Sequence, residues 1–471
     1  MNGIRQRFSI ISWCSCLLVL LLSGCSLGKP KPSELVPKPP VQETRKIAIF
    51  FDGTANDDQT GTNVAELFEL VKKTNRDGSR VYAFYVEGVG AKGKPLGMAT
   101  AWGLGHRVKA AYRFVLQHHR AGDEIYLFGF SRGAFSARVL ASMLHNVGLP
   151  DQPPDTVGQS ELAELVDEIF DAFKCSGWAT NEMCKNYDRA GNIRKALLQV
   201  GLKTSPVRVR FMGLWDTVEA LGWPTYEEIV DVPNSRYGDQ FCNIDRVAHA
   251  LALDDNRSRI FTPLLMTRIH LVSGCQEVDL TAAVQNKGQG TKSNPRIDEV
   301  YFAGAHADVG GGYEDAEGQL SGVSMNWMVR HAIDAGLPLD ASRTLPLKEQ
   351  PMACAHDPEG EFPFKLVYRR QYRAIDTYAN SPESASDTIK FHGCLIAHIE
   401  ARPRGIAEYG GKDAPAQELL RAAGSTGRFV NCFVAGADGK LTFTPGPPRC
   451  LIEKVGDCPQ AKLVSVPVCD E

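Results

Sequence analysis

Residues 124–146 read EIYLFGFSRGAFSARVLASMLHN. The run Glu124 to Phe130 is almost wholly apolar and has the length of a strand buried on both faces. It stops at Ser131-Arg132-Gly133, and a helical stretch from Ala134 to Asn146 follows at once. Residues 129–133 (GFSRG) therefore fit G-x-S-x-G in the one context that gives the pattern meaning, strand before and helix after. Small glycines allow a turn sharp enough to lift the serine oxygen out of the sheet. The backbone N–H of Arg132, at the start of the helix, then faces the same space and is placed to donate to an oxyanion.

Working outward, other apolar runs repeat the strand pattern. Lys46 to Phe51 (KIAIFF) stops at Asp52-Gly53-Thr54, and Val81 to Val86 (VYAFYV) ends at Gly88-Val89-Gly90. Val207 to Trp215 and Glu299 to Ala303 are further candidates. Helical spacing is expected over 97–119, around Ile244–Asp254 and over Ser324–Ala335. Strands alternating with helices predict an α/β fold with a doubly wound, mostly parallel sheet. Residues 150–205 interrupt the alternation with an amphipathic helix (Glu161–Phe173) and a polar stretch holding Cys175 and Cys184, which reads as an insertion of inserted helices over the sheet. Residues 336–471 are richer in Pro, Gly and Cys and read as a β-rich or irregular C-terminal extension of unknown role.

A serine hydroxyl needs a base to remove its proton and an acid to orient that base. In α/β-hydrolases these follow in the order Ser, Asp or Glu, His, each at the end of a strand. Asp216 comes directly after the strand ending at Trp215, and His306 follows the strand around 299–303. Asp308, two residues beyond His306, is an alternative acid. His118, His119, His145, His249 and His331 lie in helical stretches and read as packing or surface residues. His392 and His398, in the extension, are the remaining candidates for the base. Gly53 and Thr54 stand where this fold places its second oxyanion donor, with Asp52 as a support for that loop. No Gly-Lys-Ser/Thr follows, so a phosphate-binding loop is not supported. Gly88–Gly90 lacks the third glycine of a dinucleotide fingerprint.

FFDGTAND, Thr62-Asn63-Val64, VEGVG, GFSRGAFSAR, GLWDTV, HALALDDNR and GAHADVGGGY occur in one order between residues 45 and 335. Together they resemble the catalytic module of the Tle1-like phospholipase effectors of type VI secretion. That resemblance implies an α/β-hydrolase fold and ester hydrolysis, often of glycerophospholipid. It also implies Ser131 as nucleophile, Asp216 as acid and His306 as base, with no metal and no cofactor.

The N-terminus supplies a location. Arg5 and Arg7 precede an apolar run, Phe8 to Leu22, that is shorter than the ~20 residues a membrane-spanning helix needs. Leu22-Ser23-Gly24-Cys25 ends the run and resembles a bacterial lipoprotein box. It implies removal of residues 1–24 and lipidation of Cys25, with Ser26 favouring the outer membrane, facing the periplasm. Residues 25–44 then form the lipidated cysteine and a Pro-rich tether, 45–335 the catalytic domain and 336–471 the extension. The expected partners are the membrane and an acyl ester or phospholipid substrate. Lys plus Arg numbers 52 against 55 for Asp plus Glu, a balance that gives no electrostatic footing for nucleic acid. Of thirteen cysteines, Cys14 and Cys16 leave with the leader and Cys25 is modified. The remaining ten are an even number, and in an oxidising periplasm they predict a disulfide framework, with Cys175 and Cys184 close enough in sequence to pair.

Overall fold

A computed structural model describes residues 44–53, 61–74, 81–88, 102–151, 158–175, 181–219, 235–255, 257, 263–268, 271, 296–313, 320–339, 349–356, 373, 388–401, 432–435, 441–445, 450 and 452–458. The leader, Cys25, the tether and Thr54 lie outside them. Among the described residues no helix is long and apolar enough to cross a membrane.

The core is one eight-stranded sheet whose neighbouring strands all run parallel. Its strands are β1 (Lys46–Phe51), β2 (Val81–Val86), β3 (Glu124–Phe130), β4 (Val209–Trp215), β5 (Val247–Ala252), β6 (Ile297–Phe302), β7 (Ile389–His392) and β10 (Ile452–Val455), in the order β10-β7-β6-β5-β4-β3-β1-β2. β8 (Phe433–Ala435) and β9 (Leu441–Phe443) form a separate antiparallel pair. The helices are α1 (Asn63–Thr74), α2 (Trp102–His118), α3 (Arg132–Asn146), α4 (Gln159–Phe173), α5 (Asn181–Lys185), α6 (Arg189–Gln199), α7 (His306–Gly310), α8 (Ser321–Asp334) and α9 (Gly393–Ala401).

Alternate residues of β1 feed two cores on opposite faces of the sheet. Ile47, Ile49 and Phe51 of β1 join a core with Val108 and Tyr112 of α2, Phe135 and Leu140 of α3, and Phe170 of α4. Ala48 and Phe50 point the other way, toward Val64 and Leu67 of α1 and Met325 and Met328 of α8. The chain leaves β1 for β2 on one side and returns to β3 on the other. A sheet reversed in this way opens a crevice at the carboxyl ends of the strands where the order switches, here between β1 and β3.

The structure corrects two expectations. Residues 247–252 form a strand rather than part of a helix. VAHALA is buried at every position, so it lacks the polar stripe that separates a surface helix from a central strand. Part of the region beyond 335 belongs to the sheet itself, because β7 pairs with β6 and β10 with β7. Both strands are only four residues long and carry charged residues, IKFH and IEKV, so neither is visible to a search for apolar runs; of the two, only β10 is an edge strand.

The sequence-adjacent pair Cys175–Cys184 is bonded, as are Cys394–Cys458 and Cys432–Cys450. Cys242 and Cys354 are also in disulfides. The Cys394–Cys458 link spans 64 residues and ties α9 to the turn after β10. Closing a loop of that length stabilises the fold by on the order of 4 kcal/mol in the chain-entropy model.

Candidate active site

At the end of β3 the chain turns through Ser131, whose φ of 59° and ψ of −127° lie outside the regions an L-residue prefers. Its N–H donates to the Trp215 carbonyl at 3.0 Å, which fixes the turn against the end of β4. The two glycines are there because nothing larger fits. A Cβ on Gly129 would stand 2.6 Å from the Ala134 Cα, and one on Gly133 would stand 2.2 Å from the Phe51 carbonyl oxygen. α3 is thereby pressed onto the end of β1, with buried Ser131 at its N-terminus. Further along α3, buried Arg138 pairs with Asp239 and donates to the Leu264 carbonyl at 2.6 Å. Leu264 in turn donates its N–H to the Thr217 carbonyl at 2.9 Å, so α3 also grips the segment that follows β4.

Asp216 is the other non-glycine residue with a positive φ, 39°, among the described residues. Strain of this kind costs of order 1–3 kcal/mol per residue and is held by surrounding contacts. Its N–H donates to the Ala250 carbonyl at 2.7 Å, and its Oδ1 accepts from the Ala252 N–H at 3.0 Å. Next door, the Thr217 N–H donates to His249 Nε2 at 3.1 Å. That nitrogen must then be unprotonated, so His249 carries its proton on Nδ1 and donates to Glu299 Oε1 at 2.8 Å. Glu299 also accepts from the Met266 N–H, the Thr267 N–H and the Thr267 hydroxyl. Read from sequence as a helical packing residue, His249 is instead a buried strand residue that braces the Asp216 turn.

His306 opens α7, just past the end of β6. Its Nδ1 is 2.5 Å from Asp216 Oδ2, and its backbone N–H donates to Asp255 Oδ2 at 3.1 Å. The imidazole lies 4.6 Å from the ring of Phe130, the residue before the serine. Burial pushes the His306 pKa below its ordinary value, against the hydrogen bond and charge of Asp216, which favour protonation. Burial alone would raise the Asp216 carboxyl. The guanidinium of Arg373 and the hydrogen bond with His306 overcome this and hold it well below the usual carboxylate range. The arrangement is an ionised acid oriented on Nδ1 of a histidine that is neutral at neutral pH. Such a pair is able to take a proton at Nε2.

Asp308 does not share this geometry. Its oxygens accept from the Ala305 N–H at 2.9 Å, the His356 N–H at 2.9 Å and His356 Nδ1 at 2.6 Å. It braces the α7 turn, where Gly304 leaves room for it: a Cβ there would lie 2.3 Å from the Asp308 Cβ. The C-terminal histidines lie elsewhere. His392 stacks on Phe302 at 4.8 Å, and His398 Nε2 is 3.0 Å from the Ala353 carbonyl oxygen.

On the other wall of the crevice, buried Asp52 accepts from Thr62 Oγ1 at 2.7 Å, from the Tyr85 hydroxyl and from the Gly53 N–H at 2.6 Å. Burial pushes its pKa up against these hydrogen bonds. Asp52 thus supports the loop after β1, and the expected oxyanion role of Gly53 is corrected, because that N–H is turned onto the Asp52 carboxylate. Thr54, the alternative donor, lies outside the described residues. Arg132 begins α3, where backbone N–H groups point out of the helix end. Arg107 of α2 donates to the Asp52 carbonyl. Its Nε and Nη1 have no acceptor among the described residues, and burial lowers its pKa to about 10, so it remains a cation at neutral pH. Arg107, Arg138, Asp255, Glu299 and Arg373 were not singled out from the sequence. Arg138 and Asp255 do stand inside the ordered motifs GFSRGAFSAR and HALALDDNR. Among the described residues no group of three or more His, Cys, Asp or Glu is placed to hold a metal ion.

Residues 45–331 match the family model described as T6SS, phospholipase effector Tle1-like, catalytic domain. The chain is similar to the uncharacterized protein YEL023C of Saccharomyces cerevisiae, with 26% identity over 294 residues, 56% of this chain and 40% of that protein. It thus spans less than half the length of that relative. Among solved structures it is similar to the Tle1 effector bound to the VgrG spike of the type VI secretion system, at 18% identity and a TM-score of 0.28, covering 60% of this chain and 54% of that one. Thermogutta terrifontis esterase 2 phosphoramylated by tabun is another, at 14% identity and a TM-score of 0.26, covering 63% and 85%.

Proposed function

The chain belongs to the Tle1-like phospholipase effector catalytic-domain family, and on that premise we propose that it is a serine hydrolase of acyl esters. Ser131 is the nucleophile, His306 the general base and Asp216 the acid that orients it. The observation that carries this reading is the Asp216–His306 contact at Nδ1, made beside a serine held in a strained strand-to-helix turn. His306 Nε2 takes the Ser131 proton as Oγ attacks the ester carbonyl, and the Arg132 N–H donates to the oxyanion that forms. The tetrahedral intermediate collapses, His306 gives the proton to the departing alcohol, and an acyl-serine remains. Water, deprotonated by the same histidine, then releases the fatty acid and restores the enzyme.

For the substrate we propose a phospholipid. The cationic Arg107, with two N–H groups lacking an acceptor among the described residues, and Arg132 at the start of α3 fit an anionic phosphodiester better than a neutral ester. The sequence-based lipid anchor at Cys25 and the disulfides support an envelope location on an oxidising side of a membrane. A tethered hydrolase there reads as a resident envelope enzyme rather than an injected toxin.

Ser131→Ala is expected to abolish fatty-acid release, by about 10³-fold or more, while the thermal unfolding midpoint stays within a few degrees. The measurement is free fatty acid from phospholipid vesicles and from a monomeric short-chain ester. Undiminished release in the variant would remove the serine mechanism. Hydrolysis of the ester but not the vesicles would leave the mechanism and remove the phospholipid.

A further inference from the structure

We propose that Arg373 is the positioning residue of the acid–base pair, so that a residue beyond the family-matched residues 45–331 completes the active site. The inference rests on the assignment of Ser131, Asp216 and His306 above.

The guanidinium of Arg373 is buried and meets the Asp216 carboxylate as a two-pronged fork, Nη1 to Oδ1 and Nη2 to Oδ2, each at 2.7 Å. Nη1 also donates to the Ala252 carbonyl at 2.6 Å, which pins the fork to the end of β5. With the Ala252 N–H on Oδ1 and His306 on Oδ2, each oxygen of Asp216 has two partners. A carboxylate has about four acceptor directions, and all are taken. The group has no freedom to rotate, and His306 is aimed as a consequence.

Charge makes the same point. Asp216 is fully buried, and a buried carboxyl without a cation tends to keep its proton. A protonated Asp216 neither orients the imidazole nor stabilises an imidazolium. The other charged groups around the pair are largely matched among themselves. Asp255 is paired with Arg257 at 2.6 Å, and Asp308 accepts from His356 at 2.6 Å and from two backbone N–H groups. Asp254, behind them, is held as a neutral acid by burial, its pKa raised to about 8. Arg373 is therefore the cation placed directly on Asp216. Without it, the Asp216–His306 pair is left with one unbalanced negative charge and takes up a proton at higher pH, shared across the Nδ1–Oδ2 contact.

The test uses the full chain with Arg373→Gln and Arg373→Lys. Arg373→Gln is expected to lower kcat/KM about 100-fold and to move its acidic limb upward by about one pH unit. Arg373→Lys restores the charge without the fork, so its limb returns to the wild-type position while kcat stays about tenfold down. A plain structural ion pair would cost stability and leave the limb in place. A folded Arg373→Gln enzyme with wild-type kcat/KM and limb overturns the proposal. If that variant does not fold, Arg373→Lys decides, and wild-type kcat in it overturns the proposal. The His306 imidazole is also titrated by NMR in a Ser131→Ala background, with and without Arg373→Gln. An upward shift there supports the role of Arg373 even if no serine-dependent hydrolysis is found, which separates its failure from that of the proposed function. An unmoved titration overturns it.

Discussion

The two halves of the crevice are held by different physics. The serine half is contiguous in sequence and set by steric contact: Gly129 and Gly133 let backbone meet backbone at distances no Cβ allows, and the strained Ser131 is the result. The carboxylate–imidazole half is assembled from residues 216, 249, 299, 306 and 373 and set by charge and hydrogen bonds. Steric placement is local and brittle, because one added carbon displaces everything. Electrostatic placement is distributed and graded, since each partner removed loosens the site by its own share.

The sharpest break of this contrast is Gly133→Ala. The new Cβ would stand 2.2 Å from the Phe51 oxygen and 2.5 Å from the Asp52 oxygen, and neither is a flexible side-chain end. α3 must move off β1 and take Ser131 with it. We expect activity to fall by about 10³-fold or more, with about 1–3 kcal/mol or more of stability lost to overpacking. Near-wild-type hydrolysis by Gly133→Ala would show that the serine turn tolerates displacement, and the contrast would fail on its steric side.

On the graded side, Glu299→Gln replaces a carboxylate that accepts four hydrogen bonds with a group that presents two donors of its own. At least one buried donor then faces another. A loss of about 1–3 kcal/mol follows, with activity down about tenfold as His249 loosens its hold on Thr217. The pH dependence has a definite sign. Burial opposes ionisation of Glu299, but the hydrogen bond from His249 and the donors at 266 and 267 hold its folded pKa below the unfolded value. Its stabilisation is present above the ordinary glutamate pKa and is lost as pH falls through the lower, folded one. The stability gap between wild type and Glu299→Gln, measured by denaturant unfolding, should close in that acidic window. A gap that stays constant into acid would show that charge is not what Glu299 contributes.

The same contrast explains what the sequence discloses. β1, β2, β3 and β4 are legible because buried strands need apolar runs, and the serine turn because its steric demands fall on neighbouring residues. Asp216 and His306 stand out as candidates by chain order and strand ends, and the structure puts the two side chains 2.5 Å apart. β5 reads as helix in the sequence because VAHALA, buried on both faces, has no stripe to separate helix from strand. Arg373 left no signal, being a single cation 157 residues from its carboxylate in a stretch without periodicity. Gly53 sits where an oxyanion donor was expected, yet its N–H turns to Asp52. That choice belongs to one hydrogen bond and leaves no trace in residue type.

Asp254 gives the smallest and most selective test, because it is Asp216 without the cation. Both carboxyls are buried, one just past the end of β4 and the other just past the end of β5. Asp254 Oδ2 accepts from the Gly304 N–H at 2.7 Å, and Oδ1 has no hydrogen-bond partner among the described residues. Burial raises its pKa to about 8, helped by the charges of Asp308 and Asp255 and opposed by that hydrogen bond and by Arg373. The folded protein thus keeps a proton at pH 7 that the unfolded chain releases above about 4. Stability is lost progressively as pH rises from the unfolded pKa to the folded one, the reverse of Glu299. Asn at this position keeps the acceptor for Gly304 and has no proton to release. Asp254→Asn should therefore match wild type near pH 4 and unfold about 2–6 °C higher by pH 8. Parallel melting curves across that range would mean Asp254 is ionised in the fold. The distinction between a carboxylate held charged by Arg373 and one held neutral by burial would then be lost.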